Sequence, residues 1–176
     1  MKSSVTLSIG LAVAALVIMI DQVSKWWIVF NVMRPSPYAI PVTSFFNIVM
    51  TWNRGVSFGM FDSASSLNNV ILPILAAVIV GVLLAWLRRA ASYRVTIAIG
   101  MIIGGAVGNI IDRIHFGAVA DFLDFHIAGY HWPAFNAADS GITVGAVILI
   151  VDSLFDREKS NNIKEGAETN DGRDKQ

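Results

Sequence analysis

The amino-acid sequence predicts an all-α membrane protein with four transmembrane helices and a small extracytoplasmic β-cradle. Apolar residues make up 55% of its 176 residues. They gather in four runs of near-spanning length, which a soluble domain of this size would not normally contain. Arg88, Arg89 and Arg94 lie close together between two of these runs, and most acidic residues before position 151 lie between the last two. These observations predict a single integral membrane domain over residues 1–155.

Composition excludes several classes of function. The chain has no cysteine, so disulfides, thiolate zinc sites and a cysteine nucleophile are excluded. Its formal net charge is zero, which argues against nucleic acid as a partner. Residues 156–176 are polar with mixed charges, and we predict a disordered tail there.

The first predicted helix covers residues 7–29. No small-residue cleavage site follows its apolar run, which indicates a retained helix with Trp26 and Trp27 at the membrane interface. Asp21 and Lys25 are four positions apart, so they share a helical face and are able to pair. The pair is either a snorkelling salt bridge or part of a site just below the membrane surface.

The second segment, residues 31–69, is predicted to be external. It starts with helix-breaking prolines at positions 35, 37 and 41. Val42 to Phe61 is rich in β-branched and aromatic residues, which predicts short strands with Asn53–Gly55 as their turn. Such strands either pack on the helices or form a cradle that binds an extended peptide by strand addition.

The second and third helices are predicted at residues 70–87 and 95–111. The 18 residues of the second one reach about 27 Å, close to a hydrocarbon core of about 30 Å. The positive-inside rule makes the arginine-rich loop between them cytoplasmic, and both termini with it. The third helix is rich in glycine and alanine, which lets neighbouring helices approach closely.

The fourth helix is predicted at residues 141–155, after an external segment at 113–140. Asp121 follows the third helix and Asp139 precedes the fourth, so both are expected at the same outer interface. Two carboxylates held close share one proton. The ionised partner takes a proton from water while the protonated partner polarises a peptide carbonyl. The pattern therefore indicates an aspartyl protease dyad.

Structural explanations of the same residues remain open. Asp139 or Ser140 is able to cap the fourth helix, and Asp121 is able to accept backbone hydrogen bonds in a loop. Asp112 and Arg113 are expected on one helical face with Asn109, where they serve either the site or a structural network.

Other chemistries fit less well. A metal site has candidate ligands but no compact spacing such as HExxH, so we predict no metal. The candidates are Asp112, His115, Asp121, Asp124, His126, His131 and Asp139. Ser24 and Lys25 are adjacent and do not face each other on a helix, while Ser57 and Ser140 lack an evident base. A membrane scaffold or transporter would carry polar residues through the depth of its spans, whereas these spans are nearly uncharged in their middles.

Five segments resemble the lipoprotein signal peptidases, also called signal peptidase II. They are DQVSK from Asp21, NRGVSFG from Asn53, GGAVGNIIDR from Gly104, VADF from Val119 and FNAADSGI from Phe135. They occur in the family's order and run from the first predicted helix to the fourth. The one visible departure is Ser57, where the family usually has alanine.

The resemblance implies an aspartic endopeptidase of the bacterial inner membrane, expected to be a monomer without cofactor and active at the periplasmic side. It would remove signal peptides from prolipoproteins by cutting before a diacylglyceryl-modified cysteine. Its expected partners are these precursors, membrane lipid and the cyclic peptide antibiotics that inhibit the family. The resemblance makes Asp121 and Asp139 catalytic, leaves Asp124 as a surface or supporting group, and adds a short interfacial helix to the cradle. The supporting residues it implies are Asp21, Lys25, Asn53, Gly55, Asn109, Asp112, Arg113 and Asn136.

Overall fold

Four helices form the body of the protein. A computed structural model describes residues 2–33, 38–55, 68–90 and 92–171, with side chains between residues 4 and 155. The helices are α1 (Lys2–Trp27), α2 (Asn68–Leu87), α3 (Tyr93–Phe116) and α4 (Ala137–Asp171), and α1 continues as a π-helical turn over Ile28–Val32. Each contains a stretch long and apolar enough to cross a membrane. The predicted fold class is confirmed.

A small antiparallel sheet connects the two segments that were predicted to be external. Its strands are β1 (Ala39–Pro41), β2 (Phe46–Asn53), β3 (Val119–Ile127) and β4 (Tyr130–His131), in that spatial order. The pairing of β2 with β3 joins parts of the chain far apart in sequence, with a bulge between Ile48 and Thr51. Because β3 begins directly after α3, the sheet lies at the end of the helices where the chain crosses from α3 to α4.

Helix α3 is the central helix, and it contacts each of the other three. Small residues make this possible on two of its faces. A side chain at Gly104 would meet the backbone of Ala14 on α1, and one at Gly105 would meet the backbone of Ala138 on α4. The close approach brings polar groups of α1 and α4 within hydrogen-bonding distance of α3.

The helices extend beyond the predicted membrane spans, most clearly α3 and α4. Helix α3 extends to Phe116 and ends at Gly117, whose left-handed φ of 69° lets its N–H bond the carbonyl of Arg113. Helix α4 begins at Ala137 rather than 141, because the polar residues of its first turn are hydrogen-bonded inside the protein. The backbone of α4 also stays helical to Asp171, where composition predicts disorder. A helix already nucleated propagates at little cost through residues 156–171, which contain no proline.

The strand prediction was right in part. Strand β2 lies within Val42 to Phe61, but the hairpin turn precedes Phe46, and Asn53–Gly55 starts at the last residue of β2. Strand β3 lies in the segment at 113–140, for which no strand was predicted, because its pairing partner is distant in the sequence. The position of Ser57, and any interfacial helix at 34–37 or 56–67, lies outside the described residues.

Candidate active site

One asparagine connects the two aspartates predicted to form the dyad. Asn136 directly precedes α4. Its side-chain Nδ2 donates to Asp121 Oδ1 at 2.7 Å, and its backbone N–H donates to Asp139 Oδ2 at 3.3 Å. Both carboxylates, 18 positions apart in the sequence, are therefore held by the same residue where α3 ends and α4 begins.

Each carboxylate receives a second hydrogen bond from another asparagine. Asn109 on α3 donates to Asp139 Oδ1 at 2.8 Å, and Asn53 at the end of β2 donates to Asp121 Oδ2 at 3.1 Å. The N–H of Gly55 donates to Asn53 Oδ1 at 3.2 Å, which turns the amide nitrogen of Asn53 towards Asp121. All four carboxylate oxygens thus have a donor.

The orientations of the two central amides follow from their other partners. Asn136 Oδ1 accepts from the N–H of Asp139 at 2.9 Å, and Asn109 Oδ1 accepts from Lys25 Nζ at 2.9 Å. A backbone N–H and an ammonium group only donate, so an oxygen must face each of them. The nitrogen of each amide is left for a carboxylate, which fixes both amides as donors to the dyad.

The capping role that composition suggested for Asp139 or Ser140 falls partly to Asn136. The Asn136 side chain accepts from the N–H three residues on, and Asp139 returns a bond to the N–H of Asn136. This reciprocal pair is a capping box at the start of α4. The Ser140 hydroxyl donates to the carbonyl of Asn136 at 2.9 Å. The helix cap and the dyad are the same hydrogen-bonded unit, so the cap also fixes the direction of the Asp139 carboxylate.

Burial and a neighbouring like charge together raise the pKa of Asp121. Its side chain is buried, and the removal from water, with the negative charge of Asp139 beside it, raises its pKa to about 6. Hydrogen bonds from Asn53 and Asn136 lower the pKa and only partly offset this. Asp139 is half-buried, so the dyad has one shielded and one more accessible carboxylate.

A buried ion cluster lies beneath the dyad. Lys25 Nζ is 2.8 Å from Asp21 Oδ2 and 3.0 Å from Asp112 Oδ2, and all three side chains are almost inaccessible to solvent. The snorkelling explanation of the Asp21–Lys25 pair is therefore wrong. Lys25 donates inward because Asp112 and Asn109 on α3 supply the acceptors that complete its coordination.

The same cluster holds the backbone in front of each dyad residue. Asp112 Oδ2 accepts from the N–H of Ala120 at 3.1 Å, and Asp21 Oδ1 accepts from the N–H of Ala138 at 2.9 Å. Ala120 precedes Asp121, and Ala138 precedes Asp139. Asp112 and Asp21 therefore hold the main chain directly before Asp121 and Asp139, respectively. Lys25 holds both of these carboxylates in place.

Sequence reasoning missed Gln22 as a member of this cluster. Its Nε2 lies 3.1 Å from Asp21 Oδ2, 3.2 Å from the carbonyl of Gly108 and 3.0 Å from Asp112 Oδ1. The signal was present, since a glutamine beside Asp21 inside an apolar helix needs polar partners from another helix.

Arg113 lies at the edge of the site. It is half-buried, and its Nη1 donates to the carbonyl of Asn109 at 3.4 Å. Its positive charge interacts most strongly with Asp139, and less strongly with Asp121 and Asp112. The guanidinium thus provides a cation near the dyad while retaining donors for a bound molecule.

Asp124 belongs to a different environment. It accepts from Asn47 Nδ2 at 2.8 Å and lies 2.9 Å from His131 Nδ1. Burial raises its pKa, but the hydrogen bonds from His131 and Asn47 outweigh burial and hold the pKa below its usual value. Among the described residues, the side-chain hydrogen bonds of Asp124 are with Asn47 and His131 of the sheet, and none is with the dyad.

The candidate metal ligands do not converge. Among the described residues, no three His, Asp or Glu side chains are placed to hold one ion. Asp112 is engaged by Lys25, His115 packs edge-on against Phe116, and His131 pairs with Asp124. The residues predicted from the sequence instead converge on one site, which consists of the two aspartates, their asparagines and the ion cluster.

Comparison with known proteins identifies the family. Residues 13–155 match the signal peptidase (SPase) II family. A lipoprotein signal peptidase of Rhodopseudomonas palustris (strain TIE-1) is 41% identical over 151 residues, covering 84% of this chain and 92% of that protein. One from Cupriavidus necator is 44% identical over 156 residues, covering 86% of each.

Solved structures agree with the sequence comparison. A bacterial membrane enzyme determined by the in meso method at 2.3 Å resolution superposes with a TM-score of 0.73 at 31% identity, over 85% of this chain and 90% of that one. A second, at 1.9 Å resolution, gives a TM-score of 0.71 at 32% identity, over 82% and 92% of the two chains. The relatedness extends over the four spans, the sheet and the polar cluster, and the chain belongs to the signal peptidase II family.

Proposed function

We propose that the protein is an aspartic endopeptidase in which Asp121 and Asp139 form the catalytic dyad. The observation that carries the proposal is the bridge made by Asn136, whose two N–H groups bond one oxygen of each carboxylate. The proposed substrates are prolipoproteins, in keeping with the names of the relatives. The proposed cut falls just before the cysteine that carries diacylglycerol.

The dyad has the properties that peptide hydrolysis needs. Asp121, with a pKa raised to about 6, retains a proton more readily than an ordinary aspartate. One carboxylate holds the shared proton and donates a hydrogen bond to the scissile carbonyl oxygen. The ionised partner accepts a proton from a water molecule as the water oxygen attacks the carbonyl carbon. The carboxylate that took the proton from water then passes this proton to the leaving amine as the C–N bond breaks. The protein side chains supply every group in these steps.

The amides and Arg113 support these steps from fixed positions. Asn109 and Asn53 donate to the dyad oxygens that Asn136 leaves free, so the carboxylates are oriented before substrate arrives. Arg113 is placed to balance the charge of the dyad and to meet the polar part of the lipid. In this proposal the three asparagines and Arg113 are positioning residues.

The membrane placement completes the proposal. The arginine-rich turn at Arg88 and Arg89 lies between α2 and α3, at the opposite end of α3 from Asn109 and Asp112. The positive-inside rule then places both termini in the cytoplasm and the dyad at the periplasmic face of the inner membrane. A lipidated precursor would diffuse laterally, with its signal helix packed beside the bundle and its small residues extended beneath the sheet.

Cleavage assays with a matched pair of precursors test this function. The purified protein in liposomes is incubated with a diacylglyceryl-modified precursor and with its unlipidated counterpart. We expect a single cut before the lipidated cysteine, little cleavage of the unlipidated chain, and inhibition by the cyclic peptides that act on the family. Equal cleavage of both precursors would contradict the lipid requirement.

A chelator separates the aspartic mechanism from its main rival. We expect full activity in EDTA, because the dyad activates water without a cation. Loss of cleavage that a divalent ion restores would favour a metal-dependent mechanism and remove the dyad as proposed. Light scattering of the purified protein in detergent tests the expectation of a monomer.

A further inference from the structure

Strands β3 and β4 end in a short two-stranded ribbon that the proposed reaction does not use. Ile127 pairs with Tyr130, and His126 pairs with His131. The connecting residues Ala128 and Gly129 have φ angles of 49° and 85°. Positive φ at both central positions is characteristic of a tight type I′ hairpin turn, so the ribbon is a defined element.

The two faces of this ribbon differ sharply in chemistry. Directly opposed residues share a face, so one face carries Ile127 with Tyr130, and Phe125 with Trp132, whose N–H bonds the carbonyl of Phe125 at 2.8 Å. These four side chains are 77%, 82%, 42% and 69% exposed, respectively. We call Phe125, Ile127, Tyr130 and Trp132 the apolar face of the ribbon.

The opposite face is polar and most of its groups contact one another; the buried Nε2 of His126 has no hydrogen-bond partner among the described residues. Asp124, only 5% exposed, bonds His131 and Asn47, and the rings of His126 and His131 stack at 4.8 Å. The groups on this face therefore hold the ribbon in shape without help from the apolar face. The ribbon is an amphipathic element. Phe125 packs against Phe46 and Phe135, whereas Ile127, Tyr130 and Trp132 stay largely exposed within the described residues.

The position of Asp121 shows which way the apolar face is turned. Residues 121, 123, 125 and 127 alternate with the even-numbered ones, so Asp121 and the apolar face lie on the same side of β3. Asp121 reaches Asn136 at the start of α4. That side of β3 is thus directed towards the ends of the membrane helices, and Phe125 and Ile127 continue it beyond the dyad.

We propose that the apolar face of the ribbon rests in the interfacial layer of the lipid bilayer beside the ends of α3 and α4. Tryptophan and tyrosine favour this layer because each combines an apolar ring with a polar group. No charged side chain belongs to the face, and Phe125 stacks on Phe135, which lies two residues before the start of α4. A bilayer is the occupant that satisfies both its composition and its direction.

Membrane contact at this point would fix the depth of the dyad. The strand that carries the apolar face also carries Asp121, four residues before Phe125. Anchoring the ribbon therefore holds Asp121 at a set height above the hydrocarbon, where a lipid-modified residue is presented. This consequence rests on the proposed function, whereas the lipid contact itself does not.

The absence of cysteine in the chain permits a direct test by single-site labelling. Tyr130→Cys places a fluorescent label on the apolar face, and Ser44→Cys places one on an exposed turn of the same sheet as the control. The full-length variants are reconstituted in phosphatidylethanolamine–phosphatidylglycerol liposomes. Quenching is measured with brominated acyl chains and with a water-soluble quencher.

The proposal expects opposite responses from the two labels. The label at 130 should be quenched at least about twofold more by brominated lipid than the label at 44, and less by the aqueous quencher. A label at 130 that only the aqueous quencher reaches overturns the proposal. Protection from both quenchers also overturns it, because it would indicate a protein occupant. Both variants are first checked for a wild-type Tm in detergent to establish that they fold.

A charge substitution links the contact to activity. We expect Trp132→Glu to reduce cleavage of a liposome-embedded precursor by roughly tenfold, while Ser44→Glu, which adds the same charge elsewhere on the sheet, leaves it unchanged. Unaltered cleavage by Trp132→Glu would overturn the depth-setting role. If the wild type itself fails to cleave any precursor, the proposed function fails, and the quenching result still decides the lipid contact.

Discussion

Two faces of strand β3 carry aspartates three positions apart, and the surroundings give them opposite properties. Asp121 faces the helix ends, next to another acid, and its pKa is raised to about 6. Asp124 faces the other way, beside His131 and Asn47, and its pKa is held below 3.8. Both side chains are buried. Burial alone therefore does not distinguish them; the charge and the donors of the neighbours do.

The comparison shows how secondary structure selects between similar residues. On a helix, residues three apart share a face, and Asp121 and Asp124 would have pointed together. On a strand they point apart. Within four consecutive residues, the strand thus separates a carboxylate that is suited to proton transfer from one that stabilises the sheet.

The largest expected effect is on the dyad face. Asp121→Asn and Asp139→Asn should each lower kcat by at least roughly 10³-fold, because proton transfer by a placed carboxylate contributes on the order of 10²–10⁴. Asp124→Asn is the matched control and should keep most activity. The measurement is single-turnover cleavage of the lipidated precursor by membrane-inserted variants. Robust turnover by either dyad variant would remove that residue from the mechanism.

The next effect concerns the ion cluster that supports the dyad face. Lys25→Met leaves Asp21 and Asp112 buried without their cation, which should cost roughly 3–5 kcal/mol of stability. Thermal unfolding in detergent measures it. The double variant Lys25→Met with Asp112→Asn should recover part of the loss, because it removes one unpaired charge. A Tm for Lys25→Met equal to that of the wild type would show that the cluster is not supporting the fold.

A matched pair of amide deletions compares the two faces directly. Asn136→Ala removes the bridge to both aspartates, and a misplacement of about 1 Å in a catalytic group can lower activity on the order of 100-fold. It also removes a helix cap, at about 1 kcal/mol. Asn47→Ala removes the donor to Asp124 and should lower stability while cleavage persists. Equal losses of activity in both variants would mean that the amides act only through folding.

The smallest effect is in the pH dependence of stability. A raised pKa for Asp121 means that the folded protein holds this proton more tightly than the unfolded chain, so its contribution to stability is present at low pH and declines as pH rises from about 4 to about 6. Asp124 has the reverse sign: its contribution is present above 3.8 and is lost as pH falls through its lowered pKa.

Tm series for the two Asn variants test these signs. Relative to wild type, Asp121→Asn should gain Tm as pH rises from 4 to 7. Asp124→Asn should lose less Tm than wild type as pH is lowered below about 4. Parallel curves for wild type and Asp121→Asn over the first range would contradict the assigned environment of Asp121.

Many residues of the site could be predicted from the sequence because polar residues are conspicuous in apolar surroundings. Asp21, Lys25, Asn109 and Asp112 interrupt runs in which an unpaired polar group is costly, and each has a buried partner in the structure. The same argument applied to Gln22 would have found it. Strand β3 was harder to predict, since its partner β2 lies about 70 positions earlier, and strand propensity depends on such contacts.

The sequence by itself determined the four spans and the set of polar residues available to a site, because hydrocarbon thickness and the cost of buried charge act on local composition. It did not determine which carboxylates meet. That was decided when α1 and α4 packed closely against the glycines of α3, and when β2 paired with β3 to direct Asp121 and Asp124 to opposite sides. Contacts between distant segments set those positions, and no local pattern encodes the distance between them.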